Sequence, residues 1–181
     1  YIFIASIPIF IFGFLIKFLW PGFSESYFRG LYFIALSSIL MAILLAISEI
    51  YGRRNKSFSD INLIDIVSLG IFQSLAIFPG VSRSGITLTS ALFSGIDRHA
   101  AARISFLVGI PAISISGLIE FLTLIRTSYL IDIIPIIIGI ISSFFSSLIA
   151  IDFLLKFLAN NTTFIFVYYR LAFGVFILST L

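Results

Sequence analysis

Nine consecutive residues, Pro79-Gly80-Val81-Ser82-Arg83-Ser84-Gly85-Ile86-Thr87, carry the chemistry that can be read from this chain. Gly80 and Gly85 let a backbone turn and let a ligand approach it closely. Ser84 to Thr87 read as the first turn of a helix, whose free amides and dipole favour an anion. Arg83 adds a planar, permanently charged fork matched to phosphate oxygens. Ser82, Ser84 and Thr87 add hydroxyl donors, and Ser90 and Ser94 extend the polar stripe along the same helix. Phosphate is the ligand that suits this arrangement. The alternative is a structural arginine, satisfied by helix C-terminal carbonyls or by a carboxylate such as Asp65; the serine and glycine neighbours favour the anion site.

Catalysis needs more than a seat. Hydrolysis of a phosphoanhydride requires an activated nucleophile and neutralisation of developing charge, often by a metal. Ser82 and Arg83 are the catalytic candidates, but a serine nucleophile needs a neighbouring base. The one histidine, His99, reads as a surface residue in the first turn after an N-cap at Asp97. The acids Glu25, Glu49, Asp60, Asp65, Asp97, Glu120, Asp132 and Asp152 include no close pair on one face that resembles a metal clamp. No metal site is expected in this chain, which shows half an active site.

The elements that must position this turn are apolar. Of 181 residues, 60% are hydrophobic and 10% charged, with a mean hydropathy of +1.21. Soluble domains carry about a quarter charged residues, so the chain reads as an all-α integral membrane protein. The absence of cysteine excludes disulfides and thiolate chemistry. Tyr1 already lies in an apolar segment without an initiator methionine or a basic leader, so the chain reads as a fragment lacking its N-terminal part.

A spanning helix needs about 20 mostly apolar residues. Tyr1–Trp20, Leu31–Tyr51, Ile104–Ile125 and Ile133–Leu158 qualify, and Phe164–Leu181 is a marginal fifth; breakers such as Trp20-Pro21-Gly22 and Asn160-Asn161 separate them. Residues 61–96 behave differently. Pro79 and Gly80 interrupt them midway, and each half is too short to cross, which predicts a re-entrant hairpin with its tip deep in the protein. A single kinked span is the alternative. Arg53, Arg54 and Lys56 mark one loop as cytoplasmic, and a hairpin returns Arg98 and Arg103 to that same side. Pro111 should kink its helix. Gly139, Ser143 and Ser147 form a small-residue stripe, read as internal packing, with a homodimer seam as the alternative. Arg170 reads as a packing or interfacial residue that snorkels or pairs with Asp152 or Glu120, with contact to substrate as the alternative.

The run from Gly70 to Phe78, the motif from Pro79 to Thr87, and Ala102-Arg103-Ile104-Ser105-Phe106-Leu107 with Ile110-Pro111 resemble the undecaprenyl-diphosphate phosphatase family, also called bacitracin-resistance proteins. Ile7-Pro8 and Tyr168-Tyr169-Arg170 extend the likeness over the whole chain, 1–181, as a single membrane domain. The resemblance implies a multi-pass bacterial plasma-membrane phosphatase that converts undecaprenyl diphosphate to the monophosphate carrier of cell-wall precursors. It also implies inverted repeats with two re-entrant hairpins. Its partners would be the polyprenyl diphosphate and membrane lipids, with no nucleic acid. Gly80, Ser82, Arg83, Ser84, Gly85 and Thr87 would hold the diphosphate, with Gln73 nearby. A divalent metal, Mg or Ca, would take its ligands from a Glu-rich signature in the other repeat, which this sequence does not contain, so the fragment alone is expected to be inactive. The rival reading is a lipid-phosphate or anion transporter with a broken-helix site at the midplane.

Overall fold

A computed structural model describes residues 1–20, 22–23, 27–127 and 133–181. Pro21, Glu25 and Asp132 lie outside the described residues. The described chain is helical throughout, with one isolated bridge between Lys56 and Ile96. Its helices are α1 (Ile2–Leu19), α2 (Leu31–Tyr51), α3 (Leu63–Ser74), α4 (Arg83–Phe93), α5 (Arg98–Thr127), α6 (Ile133–Asn160) and α7 (Phe164–Ser179). Four of these, α1, α2, α5 and α6, are long and apolar enough to cross a bilayer. The marginal fifth, α7, has 16 residues. Apolar side chains cover the outside, with Phe3, Phe14 and Ile149 among the most exposed, as expected where lipid is the solvent. The chain is an all-α polytopic membrane protein.

The core sits around α2, which packs against α7 on one side and α4 on the other. Small residues set the closeness of these contacts. A Cβ at Gly174 of α7 would lie 2.6 Å from Ile39 and 3.0 Å from the Ala35 carbonyl of α2, and one at Gly70 would lie 2.6 Å from the Ala5 carbonyl of α1. Ala42, Leu45, Leu88, Ala91, Leu92 and Val167 fill the space between.

Residues 61–96 fold back on themselves. Asn62 and Asp65 start α3 with a reciprocal capping box: the Asp65 amide donates to Asn62 Oδ1 and the Asn62 amide to Asp65 Oδ2, each at 3.0 Å. At 12 residues, α3 is about 18 Å long, short of a ~30 Å hydrocarbon core. A 3-10 turn, Leu75–Ile77, leads to Pro79 and to Gly80 at φ +87°, and α4 then runs back. Lys56 closes the base. Its amide donates to Gly95 O at 3.0 Å, its carbonyl accepts from the Asp97 amide at 2.9 Å, and its ammonium bonds both Asp65 oxygens at 2.8 and 3.0 Å. The start of α3 and the exit of α4 therefore lie at one end of the bundle. Asp65 belongs to this base, so it is no partner for Arg83.

The same end holds a buried carboxylate that sequence reading left without a role. Glu49, 1% exposed, accepts from Arg98 Nε at 2.8 Å and from Arg98 Nη2, and from the Thr163 hydroxyl at 2.8 Å, with Arg54 at 3.5 Å. It ties the last turn of α2 to the starts of α5 and α7. Removing a buried partner leaves the others desolvated and unpaired, so Glu49→Ala is expected to lower unfolding stability by about 1–3 kcal/mol. Thermal unfolding in detergent measures this; an unchanged midpoint would refute it.

The stripe Gly139, Ser143 and Ser147 is not packed against the described residues. All three are exposed, a Cβ at Gly139 would meet nothing within 4 Å, and α6 leans on α5. Its alternating small and large residues run around a helix whose best apolar window has no buried position. Arg170 pairs with neither Asp152 nor Glu120. It lies on the inner face of α7, 9% exposed, whereas Asp152 lies on an exposed face of α6 and bonds Lys156 at 2.7 Å.

Candidate active site

The tip of the hairpin is clamped from two sides. From α2, the Ser37 hydroxyl lies 2.8 Å from the Pro79 carbonyl. From α7, Arg170 Nη2 donates to the Gly80 carbonyl at 2.7 Å. Gly80 is required twice over: its φ is in the left-handed region, and a Cβ there would fall 2.6 Å from the Ile34 carbonyl. Helix α4 then begins at Arg83, one residue earlier than the sequence suggested, because Ser82 takes the N-cap position and its Oγ accepts from the Gly85 amide at 3.2 Å. Among the described residues, nothing accepts from the amides of Arg83 and Ser84. They are the free donors expected at a helix start.

Arg170 lies against this first turn. A Cβ at Gly85 would come 2.5 Å from Arg170 Nη1, so the glycine makes room for the guanidinium. A cation beside the positive end of a helix is repelled by the dipole. Among the described residues no carboxylate compensates it, and Arg170 Nε is buried without a partner. An anion between the guanidinium and the amides would satisfy both.

The space for it is a cavity of about 510 Å³ bounded by α2, the hairpin tip, α5, α6 and α7. Gly80, Ser82, Ser84, Gly85 and Arg170 form its polar end, with Ser38 and Ser105 alongside. Leu45, Leu88, Leu154, Leu158 and Phe166 wall the remainder. The cavity is therefore amphiphilic, with a cationic seat at one end and a hydrocarbon-like wall beyond it.

The candidate residues divide on this geometry. Gly80, Ser82, Ser84 and Gly85 come together in the wall. Arg83 is half-buried on the same turn, its Cδ 3.9 Å from where a Cβ on Gly109 of α5 would stand, and its Nε is buried without a partner. It pairs with no carboxylate among the described residues and does not line this cavity. Thr87 is fully buried, and its hydroxyl bonds back to the Arg83 and Ser84 carbonyls at 3.0 and 3.2 Å. Gln73 is fully buried, with both amide atoms unpartnered, and lies outside the cavity wall. His99 is exposed in the first turn of α5, two residues after Asp97, whose Oδ1 accepts from the Ala100 amide at 2.9 Å.

Arg170 is the cavity-lining residue that the sequence reading favoured for packing or the interface instead. A signal existed: Val167, Arg170, Gly174 and Ile177 recur at helical spacing, and Gly174 marks that stripe as a close-packed inner face. An arginine on such a face is buried rather than snorkelling.

The cavity wall holds no carboxylate or imidazole, and among the described residues no three Asp, Glu or His side chains converge. These residues do not fit a divalent cation, which needs several oxygen ligands.

The profile of the family described as Bacitracin resistance protein BacA matches residues 1–176. The chain is 71% identical over 181 residues to an undecaprenyl-diphosphatase of Prochlorococcus marinus (strain NATL2A), covering all of this chain and 65% of that protein. It is 49% identical over 179 residues to an undecaprenyl-diphosphatase of Synechocystis sp. (strain ATCC 27184 / PCC 6803 / Kazusa), covering 98% of this chain and 55% of that protein. A match along nearly the whole length, motif and hairpin included, leaves one conclusion: the chain belongs to the bacitracin resistance protein BacA family.

Proposed function

We propose that the full-length protein hydrolyses undecaprenyl diphosphate to undecaprenyl phosphate and inorganic phosphate in the bacterial plasma membrane. It thereby recycles the lipid carrier for cell-wall synthesis and confers resistance to bacitracin. The observation that carries this reading is the amphiphilic cavity, whose cationic end suits a diphosphate and whose apolar wall suits the first part of a polyprenyl chain. The names of its relatives support it.

In this reading Arg170 and the amides of Arg83 and Ser84 hold the phosphates, and charge developing on the oxygens is stabilised by donors already in place. The Ser82 oxygen accepts from Gly85 N–H, which leaves its own proton to donate to a phosphate oxygen. Arg83, without an acid partner, adds a second guanidinium to the same helix turn. Water supplies the attacking oxygen, the bond from the terminal phosphorus to the bridging oxygen breaks, and the lipid monophosphate leaves. The cavity wall offers no base, so nucleophile activation and the ligands of a divalent cation come from the part of the relatives' length that this chain does not match.

The register of α2 supports an outward-facing site. Ser37 is six residues from Leu31 and 14 from Tyr51, roughly 9 and 21 Å along the axis. The basic residues Arg53, Arg54, Lys56 and Arg98 cluster at the far end, which the charge rule assigns to the cytoplasm.

The test is phosphate release by purified full-length protein given undecaprenyl diphosphate in detergent. Release of one phosphate with formation of the lipid monophosphate is expected. Lipid diphosphate carried across a vesicle membrane intact, without phosphate release, would replace this reading with a transporter.

A further inference from the structure

We propose that Ser37 and Ser38, adjacent on α2, are positioning residues for the anion seat, one fixing the hairpin tip and the other the helix that carries Arg170. This rests on the phosphatase reading above. Successive residues on a helix point about 100° apart, so neighbouring serines can face two different elements. Ser37 faces the tip. Its hydroxyl lies 2.8 Å from the Pro79 carbonyl and 3.0 Å from the Ile34 carbonyl, sharing a single proton between them. Ser38 faces α7, where its hydroxyl donates to the Arg170 carbonyl at 3.3 Å. Both serines are buried.

The consequence is local. The two peptide units that meet at Gly80 are held from different helices, the Pro79 carbonyl by Ser37 and the Gly80 carbonyl by Arg170. Three residues later α4 begins, so the direction of the Arg83 and Ser84 amides depends on that turn. Helix α2 has no need of hydroxyls for its own sake, since alanine is the better helix former. A serine that only bonded its own helix at Ile34 would be dispensable. One that also reaches across to Pro79 sets the aim of the seat.

The experiment uses full-length protein carrying Ser37→Ala, Ser38→Ala or, as a control for hydroxyl loss, Ser142→Ala on the exposed face of α6. Inorganic pyrophosphate is the binding probe, measured by calorimetry, beside kcat and KM for phosphate release from the lipid diphosphate. Ser37→Ala is expected to raise the pyrophosphate Kd by about five- to tenfold, the size of one hydrogen bond. KM should rise in step, with kcat within about twofold, as when uniform binding is lost. Ser38→Ala, whose bond is longer, should raise Kd by about two- to threefold, and Ser142→Ala should change nothing. The losses from Ser37→Ala and Arg170→Lys should not multiply in the double variant, because both side chains hold one turn.

Unchanged Kd and KM in Ser37→Ala, or losses that multiply, would overturn the positioning role. If wild-type protein binds pyrophosphate but releases none from the lipid, the phosphatase reading falls and the Kd ratio alone judges the serines. If it turns over lipid without measurable pyrophosphate binding, the KM ratio judges them. Neither binding nor turnover overturns both.

Discussion

Replacing Arg170 by alanine in the full-length protein should reduce kcat/KM for lipid diphosphate by about 10²–10³-fold, the range seen when one preorganised donor to a developing oxyanion is removed. Arg170 does two things at once. It contributes a cationic fork to the polar end of the cavity, and it holds the Gly80 carbonyl at 2.7 Å. Arg170→Lys keeps the charge but loses the fork, so it should recover only part of the loss. Arg83→Ala is expected to fall in the same range, because both guanidinium groups flank the first turn of α4. The two losses should differ in kind. Arg170→Ala should disturb the tip as well as the charge, whereas Arg83→Ala should leave the Gly80 clamp intact. Steady-state phosphate release measures both. Normal turnover in Arg170→Ala would mean that the cavity beside it is not the reaction site.

The second large effect is expected at Gly80. Alanine there meets a left-handed φ of +87° and a backbone oxygen of α2 at 2.6 Å. The conformational penalty alone is about 1–2 kcal/mol, and the carbonyl of Ile34 is not a flexible side chain that can step aside. The tip must therefore back away from α2, breaking the Ser37 contact and misaiming the amides of Arg83 and Ser84. Displacement by about 1 Å can cost on the order of 10²-fold in rate, so Gly80→Ala should lose activity on that scale and melt earlier. Gly109→Ala is the matched control. Its nearest neighbours would stand at 3.7 and 3.9 Å, ordinary contact distances, and it should retain near wild-type stability. Equal behaviour of the two alanines, by activity and thermal unfolding, would remove Gly80 from the account.

Much of this was legible from residue types. The apolar spans, the break at Pro79-Gly80 and the serine-glycine-arginine turn follow from composition and spacing, because lipid permits few backbone solutions and a tight turn between short apolar helices must be made of such residues. Local reading also placed the caps well: Asp97 at the start of α5 depends on its neighbours alone. It failed where partners are distant in sequence. Nothing near Thr87 says that its hydroxyl will turn back onto Arg83 and Ser84 rather than toward a ligand. Nothing near Arg170 says that it will reach Gly80, 90 residues earlier. Glu49 is a similar case, since its partners Arg98 and Thr163 lie 49 and 114 residues away. The small residues of α6 mark another limit, because close-packing potential is a property of the helix, whereas use of it depends on what stands opposite.

The way Lys56 fastens the root of the hairpin has a dynamic consequence. With its base stitched by two main-chain bonds and an ammonium–carboxylate pair, and its apex gripped from α2 and α7, the loop has no free end about which to swing. Apart from the free amides of Arg83 and Ser84, its amides should exchange with solvent deuterium about as slowly before a ligand arrives as after, so that little ordering entropy is lost on occupancy.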